Sequence, residues 1–150
     1  MSYLVDTNVL LRSVQTSHPM HSAAVRAINH LLTDEVVFVI PQSFIEFWAV
    51  ATRPGTSNGL GLSVGEVAAR ISVIKSTLNL LPDVDGIFEQ WERLVVQHQV
   101  LGKQVYDARL VAAMTVHGVT HLLTFNTTDF KRFTDITATS PQAILNDETT

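Results

Sequence analysis

Residues 3–8 read Tyr-Leu-Val-Asp-Thr-Asn, inside the run "MSYLVDTNVLLRS" at 1–13. A short apolar stretch meets an acid, two small polar residues and a second apolar stretch. The first part has the length and composition of a buried strand, and Asp-Thr-Asn is a turn signal. Asn8 suits the N-cap of a helix beginning in "VLLRSV". The stretch therefore predicts a strand, a tight turn and a helix, with Asp6 at the carboxyl end of the strand.

The same alternation continues. "MHSAAVRAINHLLT" (20–33) carries apolar residues near helical spacing, and "VVFVI" (36–40) is a continuous β-branched run suited to a strand covered on both faces. Pro41 ends that strand, and Ser43 is placed to cap a helix over "FIEFWAVAT" (44–52). "RPGTSNGLGLS" (53–63) reads as a loop and "VGEVAARISVIKS" (64–76) as a helix. "LNLLP" (78–82) is a possible strand, "DGIFEQWERLVVQHQV" (85–100) an amphipathic helix and "DARLVAAMTVHG" (107–118) a helix with Asp first and Gly last. "THLLTF" (120–125) and "ITAT" (136–139) supply further strands. Alternating strands and helices predict an α/β fold, a three-layer α/β/α sandwich around a mainly parallel central sheet. Ligands in such sheets bind beyond the carboxyl ends of the strands. Asp6 is at one such end, and Asn126 and Asp129 follow another.

The chain has 150 residues, so one domain over 1–150 is expected. It is 46% hydrophobic and only 16% charged, which leaves apolar area for a subunit or partner interface. With no cysteine, disulfides, thiolate zinc sites and cysteine nucleophiles are excluded, and a cytoplasmic setting fits. No basic segment followed by a long apolar one suggests a signal peptide, and no apolar run approaches the roughly 20 residues of a membrane span. The formal net charge is −4, which opposes nucleic-acid binding unless a local field or a metal reverses it.

Most of the fourteen acids read as solvated charge. Asp34 and Glu35 fall in a turn, Glu66, Glu89 and Glu92 on polar helix faces, Asp83 and Asp85 beside a helix start, and Asp147 and Glu148 in a tail. Four differ. Asp6 closes a buried strand, and the capping role is already filled by Asn8. Glu46 lies in a helix apolar almost all round, where the bland reading is a pair with Arg53. Asp107 opens a helix, which the dipole favours, yet shares a face with Leu110, Val111 and Met114. Asp129 lies in "TFNTTDF", where it can also cap a short turn. Carboxylates gathered at one sheet edge raise each other's pKa values. A hard dication relieves that conflict, and an all-oxygen donor set suits Mg²⁺ or Mn²⁺. Such an ion also lets an acidic site accept phosphate.

The segments "LVDTNVLL" (4–11), "IPQSFIEFWAVATRP" (40–54) and "VYDARLVAAMTVHGVTHLLTFNTTDF" (105–130) resemble the PIN-domain family, specifically the VapC-type toxins of toxin–antitoxin pairs. The resemblance extends over essentially the whole chain. It implies a metal-dependent ribonuclease that hydrolyses RNA to a 3′-hydroxyl and a 5′-phosphate. It implies that Asp6, Glu46, Asp107 and Asp129 are the catalytic, metal-binding acids, and that Thr7, Asn8, Thr124 and Asn126 support them by hydrogen bonding. Some relatives carry an acid where this chain has Asn126, so either Asn126 or Asp129 fills the fourth position. The resemblance further implies a homodimer and a cognate antitoxin that blocks the site, for which helices 20–33 and 44–52 offer a groove.

Arg12, Lys103, Lys131 and Arg132 lie near the site segments and are candidates for contact with the RNA backbone, while Arg109 is expected to pair with an acid or a neighbouring subunit. His18, His21, His117 and His121 form no HExxH motif and read as structural, and Trp48 and Trp91 as core or interface. Two other readings remain open. A phosphoaspartyl phosphatase also begins with Asp after a first strand, but needs a second Asp where Asn8 stands. A non-catalytic PIN-like module would bind RNA or protein without cleaving.

Overall fold

A computed structural model of the chain describes residues 1–147. The elements run β1 (Ser2–Val5), α1 (Thr7–Val14), α2 (His21–Asp34), β2 (Val36–Val39), α3 (Pro41–Thr52), α4 (Val64–Thr77), β3 (Asn79–Leu80), α5 (Ile87–Gln97), α6 (Gln104–His117), β4 (His121–Leu123), β5 (Thr137–Thr139) and α7 (Pro141–Asp147). Short 3₁₀ turns cover Gly55–Ser57 and Thr127–Phe130. The five strands form one sheet in the order β3-β2-β1-β4-β5, and every pairing is parallel.

Side chains alternate across this sheet, as a pleated strand requires. Tyr3 and Val5 of β1, Val37 and Val39 of β2 and Leu123 of β4 enter one core with residues of α1, α2, α3, α4 and α7. Leu4 and Leu122, paired in register, enter the other with α5, α6 and the 3₁₀ turn. Helices thus cover both faces, and the expected three-layer sandwich is present. β1, β2 and β3 progress one way across the sheet and β4 and β5 the other. The switch lies between the carboxyl ends of β1 and β4, where an open parallel sheet leaves a crevice.

Several local expectations shift. Asp6, and not Asn8, caps α1: its backbone is extended and its side chain accepts from the Thr7 N–H. The helix begins one residue after the strand, which leaves no room for a later cap. Likewise α3 begins at Pro41, whose missing N–H is harmless at the first helical position. Ser43 is consequently inside the helix, buried and without a hydrogen-bond partner for its hydroxyl. Glu66 is more than surface charge, because it completes a capping box with Ser63 at the start of α4. Asp107 sits in the first turn of α6, three residues after its first, and Gly118 closes that helix at φ 73°. The segment 141–147 is a helix and not a tail, held by Pro141 and Ile144; Glu148 lies outside the described residues. Glu35 pairs with the amino group of Met1 at 2.6 Å. Among the described residues, no helix is long and apolar enough to cross a membrane.

The loop after α3 is folded back tightly. Leu60 and Leu62 donate their N–H groups to Val50 and Ala51, and Gly61 donates to the Arg53 carbonyl at 2.8 Å. A Cβ on Gly59 would fall onto that same Arg53 carbonyl, so only glycine fits. Gly59→Ala is expected to cost about 1–3 kcal/mol through forced backbone movement. Gly55→Ala, with nothing within 4 Å of the added carbon, should be near neutral. Chemical denaturation of both variants checks the contrast.

Candidate functional site

At the carboxyl end of β1, both oxygens of Asp6 are engaged. Oδ1 accepts from the Thr7 N–H at 2.7 Å, and Oδ2 accepts from the Thr124 hydroxyl at 2.8 Å and the Asn8 amide at 3.4 Å. The Asn8 amide also donates to Thr124 at 3.2 Å, while its oxygen accepts from the Phe125 N–H at 3.2 Å. Thr124 accepts from the Asn126 N–H at 3.0 Å. The ends of β1 and β4 are therefore stitched together around one carboxylate. Thr7 reaches the other way, donating its hydroxyl to Glu46 Oε2 at 2.9 Å. Gln42, one helical turn before Glu46, donates to Glu46 Oε1 at 3.1 Å and to the Tyr106 carbonyl at 2.8 Å. Glu46 is thus held by Thr7 and Gln42, and not by the expected pairing with Arg53.

Asp107 enters from α6, half-buried, and among the described residues its side chain makes no hydrogen bond. Burial pushes the Asp6 carboxyl up to about 6. The Thr124 and Thr7 hydrogen bonds oppose this, and the charges of Asp107 and Glu46 add to it. Burial likewise lifts Asp107 to about 6, helped by Asp129 and Glu46 and opposed by Arg132. The four acids therefore share one field, although they arrive from β1, α3, α6 and the turn after β4. Asn126 is exposed and stands at the N-cap position, without a side-chain capping bond, of the 3₁₀ turn in which exposed Asp129 lies. Of that pair it is the Asp129 charge that reaches Asp107. As they stand, no three acidic or histidine side chains among the described residues converge tightly enough to hold an ion.

A carboxyl raised in the folded state binds its proton there more tightly than in the unfolded chain. Its favourable contribution is complete below about pH 4 and is lost as pH rises through about 6. In metal-free protein at pH 7.5 the Asp107 charge therefore works against folding. Asp107→Asn should stabilise that form by on the order of 1 kcal/mol after solvent screening, roughly 2–4 °C in Tm. The gain should vanish toward pH 4. Thermal melts in chelator at both pH values check the sign.

The cations divide into two groups. Arg12 is turned to Gln15 at 2.7 Å, and Arg132 to Gln104 at 2.6 Å and the His98 carbonyl at 3.3 Å, with its guanidinium 5.9 Å from the Phe133 ring centroid. Lys103 and Lys131 are exposed. Arg109 pairs with Asp83 at 3.3 Å, as an intramolecular partner, and also donates to Gln42 at 3.0 Å. His21 and His117 bond the carbonyls of Arg12 and Pro82, and His18 accepts from Met20 N–H, which fits structural roles. Trp91 donates to the Val105 carbonyl at 2.8 Å, and Trp48 is exposed at the surface.

A family model described as the PIN domain matches residues 3–136. The chain belongs to the PIN-domain family. The PIN fold is seen again in solved structures. VapBC2 from Rickettsia felis, bound to a DNA fragment from its promoter, is 13% identical, with 93% of this chain and 98% of that one covered at a TM-score of 0.71. DNA-bound VapBC from Salmonella typhimurium is 14% identical, with 94% and 98% covered at 0.69. VapC20 of Mycobacterium tuberculosis, described as a sarcin–ricin loop cleaving toxin, is 18% identical, with 80% and 86% covered at 0.61. Comparison with the curated proteins gives no sequence match. The PIN assignment covers all of the segments that carry the four acids.

Gln42 and Asp83 escaped sequence reasoning. Gln42 had one available signal, its spacing four residues before Glu46 on a helix. Asp83 had none, because its partner Arg109 is 26 residues away.

Proposed function

We propose that this chain is a Mg²⁺- or Mn²⁺-dependent endoribonuclease and the toxin of a toxin–antitoxin pair. The observation that carries the reading is one shared electrostatic field: carboxylates from four separate segments act on one another near the switch point of a PIN-family sheet. Its support from relatives is the PIN assignment and the likeness to VapC folds, one of which is described as a sarcin–ricin loop cleaving toxin.

The donor set fits a hard dication. All four acids offer oxygen, burial reinforced by their mutual repulsion raises Asp6 and Asp107, and neither thiol nor paired imidazole competes. Asp6, Glu46, Asp107 and Asp129 would hold the ion. The first and second are already fixed by hydrogen bonds, whereas no side-chain hydrogen bond holds Asp107 or Asp129 among the described residues. When bound, the ion would acidify a water and withdraw charge from a phosphate oxygen. The Thr124 hydroxyl favours the charged form of Asp6 and, with Asn8, orients it, while Thr7 orients Glu46. Lys103 and Lys131, exposed and without an ion pair among the described residues, would meet RNA phosphates. The products would be a 3′-hydroxyl and a 5′-phosphate. A phosphoaspartyl route is less well served, since both Asp6 oxygens accept hydrogen bonds and residue 8 is an amide that donates one of them.

The antitoxin and a second copy of the chain would use apolar surface. Ile45 and Trp48 are exposed, and with Phe44, Ala49 and Ile71 they line a shallow groove. That groove lies between α3 and α4, because α2 packs on α1 and α7 instead of forming a groove with α3. In the cytoplasm, an antitoxin docked there would lie beside Glu46. The reading is tested by incubating the purified chain with a mixed RNA panel, with Mg²⁺ or Mn²⁺ and with chelator. Metal-dependent internal cleavage supports it, and intact RNA under all conditions refutes it. Co-purification with the product of the neighbouring small gene should give a stable complex without cleavage.

A further inference from the structure

A line of polar contacts runs away from Glu46 toward the surface. Glu46 and Gln42 lie on α3, Arg109 on α6 and Asp83 in the segment after β3. Asp83 accepts from Arg109 Nη2 at 3.3 Å, and Arg109 Nη1 donates to Gln42 Oε1 at 3.0 Å. Gln42 Nε2 donates to the Tyr106 carbonyl at 2.8 Å and to Glu46 Oε1 at 3.1 Å. Gln42 is 8% exposed, so its amide must satisfy both ends within the protein.

Only one orientation of that amide is possible. A guanidinium donates and never accepts, so it must face the amide oxygen. The amide nitrogen is then left to the Tyr106 carbonyl and the Glu46 carboxylate, which only accept. Turning the amide over would set donor against donor at Arg109 and acceptor against acceptor at both other contacts. Arg109, itself anchored by Asp83, therefore acts with the two acceptors to fix which way Gln42 points. Glu46 has three rotatable torsions, and it is clamped at Oε1 by Gln42 and at Oε2 by Thr7. Two donors hold its carboxylate, whose charge acts on Asp6 and Asp107.

We propose that Gln42, oriented by the Arg109–Asp83 pair, is a positioning residue that holds Glu46 ready for a dication. The inference rests on the reading of Glu46 as a member of the dication site. Among the described residues Gln42 makes no hydrogen bond to Asp6, Asp107 or Asp129, so its action on the site runs through Glu46. Supporting interactions behind metal ligands are typically worth 10–100-fold in affinity or activity.

The test compares wild type, Gln42→Met, Arg109→Met, Glu46→Gln and Gln42→Met/Glu46→Gln. Mn²⁺ affinity is measured by calorimetry and RNA cleavage by kcat and KM. Gln42→Met should weaken Mn²⁺ binding and lower kcat by about ten-fold or more, with KM for RNA unchanged. In the Glu46→Gln background the same substitution should have no further effect. A residue that merely supports the fold would give additive losses, and that result, or unchanged Mn²⁺ affinity in Gln42→Met, overturns the proposal. Should Gln42→Met fail to fold, Arg109→Met carries the test, because Arg109 is 34% exposed and lies outside the α3 core. A metal-free readout separates this inference from the nuclease reading. The Gln42 side-chain amide protons should appear in NMR as two resolved, slowly exchanging resonances in wild type and lose that protection in Arg109→Met. Absence of cleavage and of Mn²⁺ binding in wild type would sink the nuclease reading while leaving the amide to decide its own orientation; retained protection in Arg109→Met would sink the relay.

Discussion

Asp107→Asn should lower RNA cleavage by on the order of 10³ or more and leave the chain folded. The Asp107 side chain makes no hydrogen bond among the described residues, so the isosteric amide breaks none. What it removes is a charge from a site where a dication would have to be held against burial. Metal-assisted charge stabilisation is worth several kcal/mol, and each 1.36 kcal/mol is a factor of ten in rate. The same loss is expected from Asp6→Asn by a different path. The amide oxygen can still cap Thr7, but its nitrogen now meets the Asn8 amide, which donates as well. Asp6→Asn should therefore combine lost cleavage with some loss of stability, whereas Asp107→Asn should combine it with a gain in metal-free protein at neutral pH. Single-turnover cleavage and thermal melts on the two purified variants distinguish these outcomes. Full cleavage by either would contradict the site.

Phe47→Ala should be the most damaging simple truncation in the core. Phe47 is fully buried, at 0% exposure, among α1, α3 and the sheet residues of the first core. Emptying a buried phenylalanine site costs about 3–5 kcal/mol, a large share of the roughly 5–15 kcal/mol that stabilises a domain. A fall in Tm on the order of 10 °C is expected. Phe47 is also the helical neighbour of Glu46, so loosening α3 should reduce cleavage even where the fold survives. Ile45→Ala, on the same helix but 69% exposed, should change stability by less than about 0.5 kcal/mol. Denaturation curves of the two variants check the ratio of effects.

Asp6, Glu46, Asp107 and Asp129 were legible because each breaks a local pattern. A carboxylate ending a buried strand, or lying on an apolar helix face, needs a reason that its neighbours do not supply. The sheet was legible from β-branched runs such as 36–40, whose residues enter both cores. The boundaries were less so. Asn8 and Asp6 are both good caps, and only the abrupt start of α1 at Thr7 decides between them. Pro41 reads equally as the end of a strand and the start of a helix, and here it is both. Helix α7 carried a signal that went unread, Ser140 before Pro141, with the Ser140 hydroxyl accepting from the Ala143 N–H at 3.1 Å. Its seven residues offer too little periodicity for a pattern to stand out. Long-range polar chemistry was invisible in principle: Gln42 and Arg109 are 67 positions apart and meet only once the sheet has brought α3 and α6 together.

Calorimetric titration of the metal-free chain with Mn²⁺ bears most directly on whether the acids form a dication site. Wild type should show saturable binding that Asp107→Asn abolishes or weakens at least ten-fold. Featureless heats for wild type, or the same affinity in Asp107→Asn, would mean that these carboxylates meet without forming a metal centre.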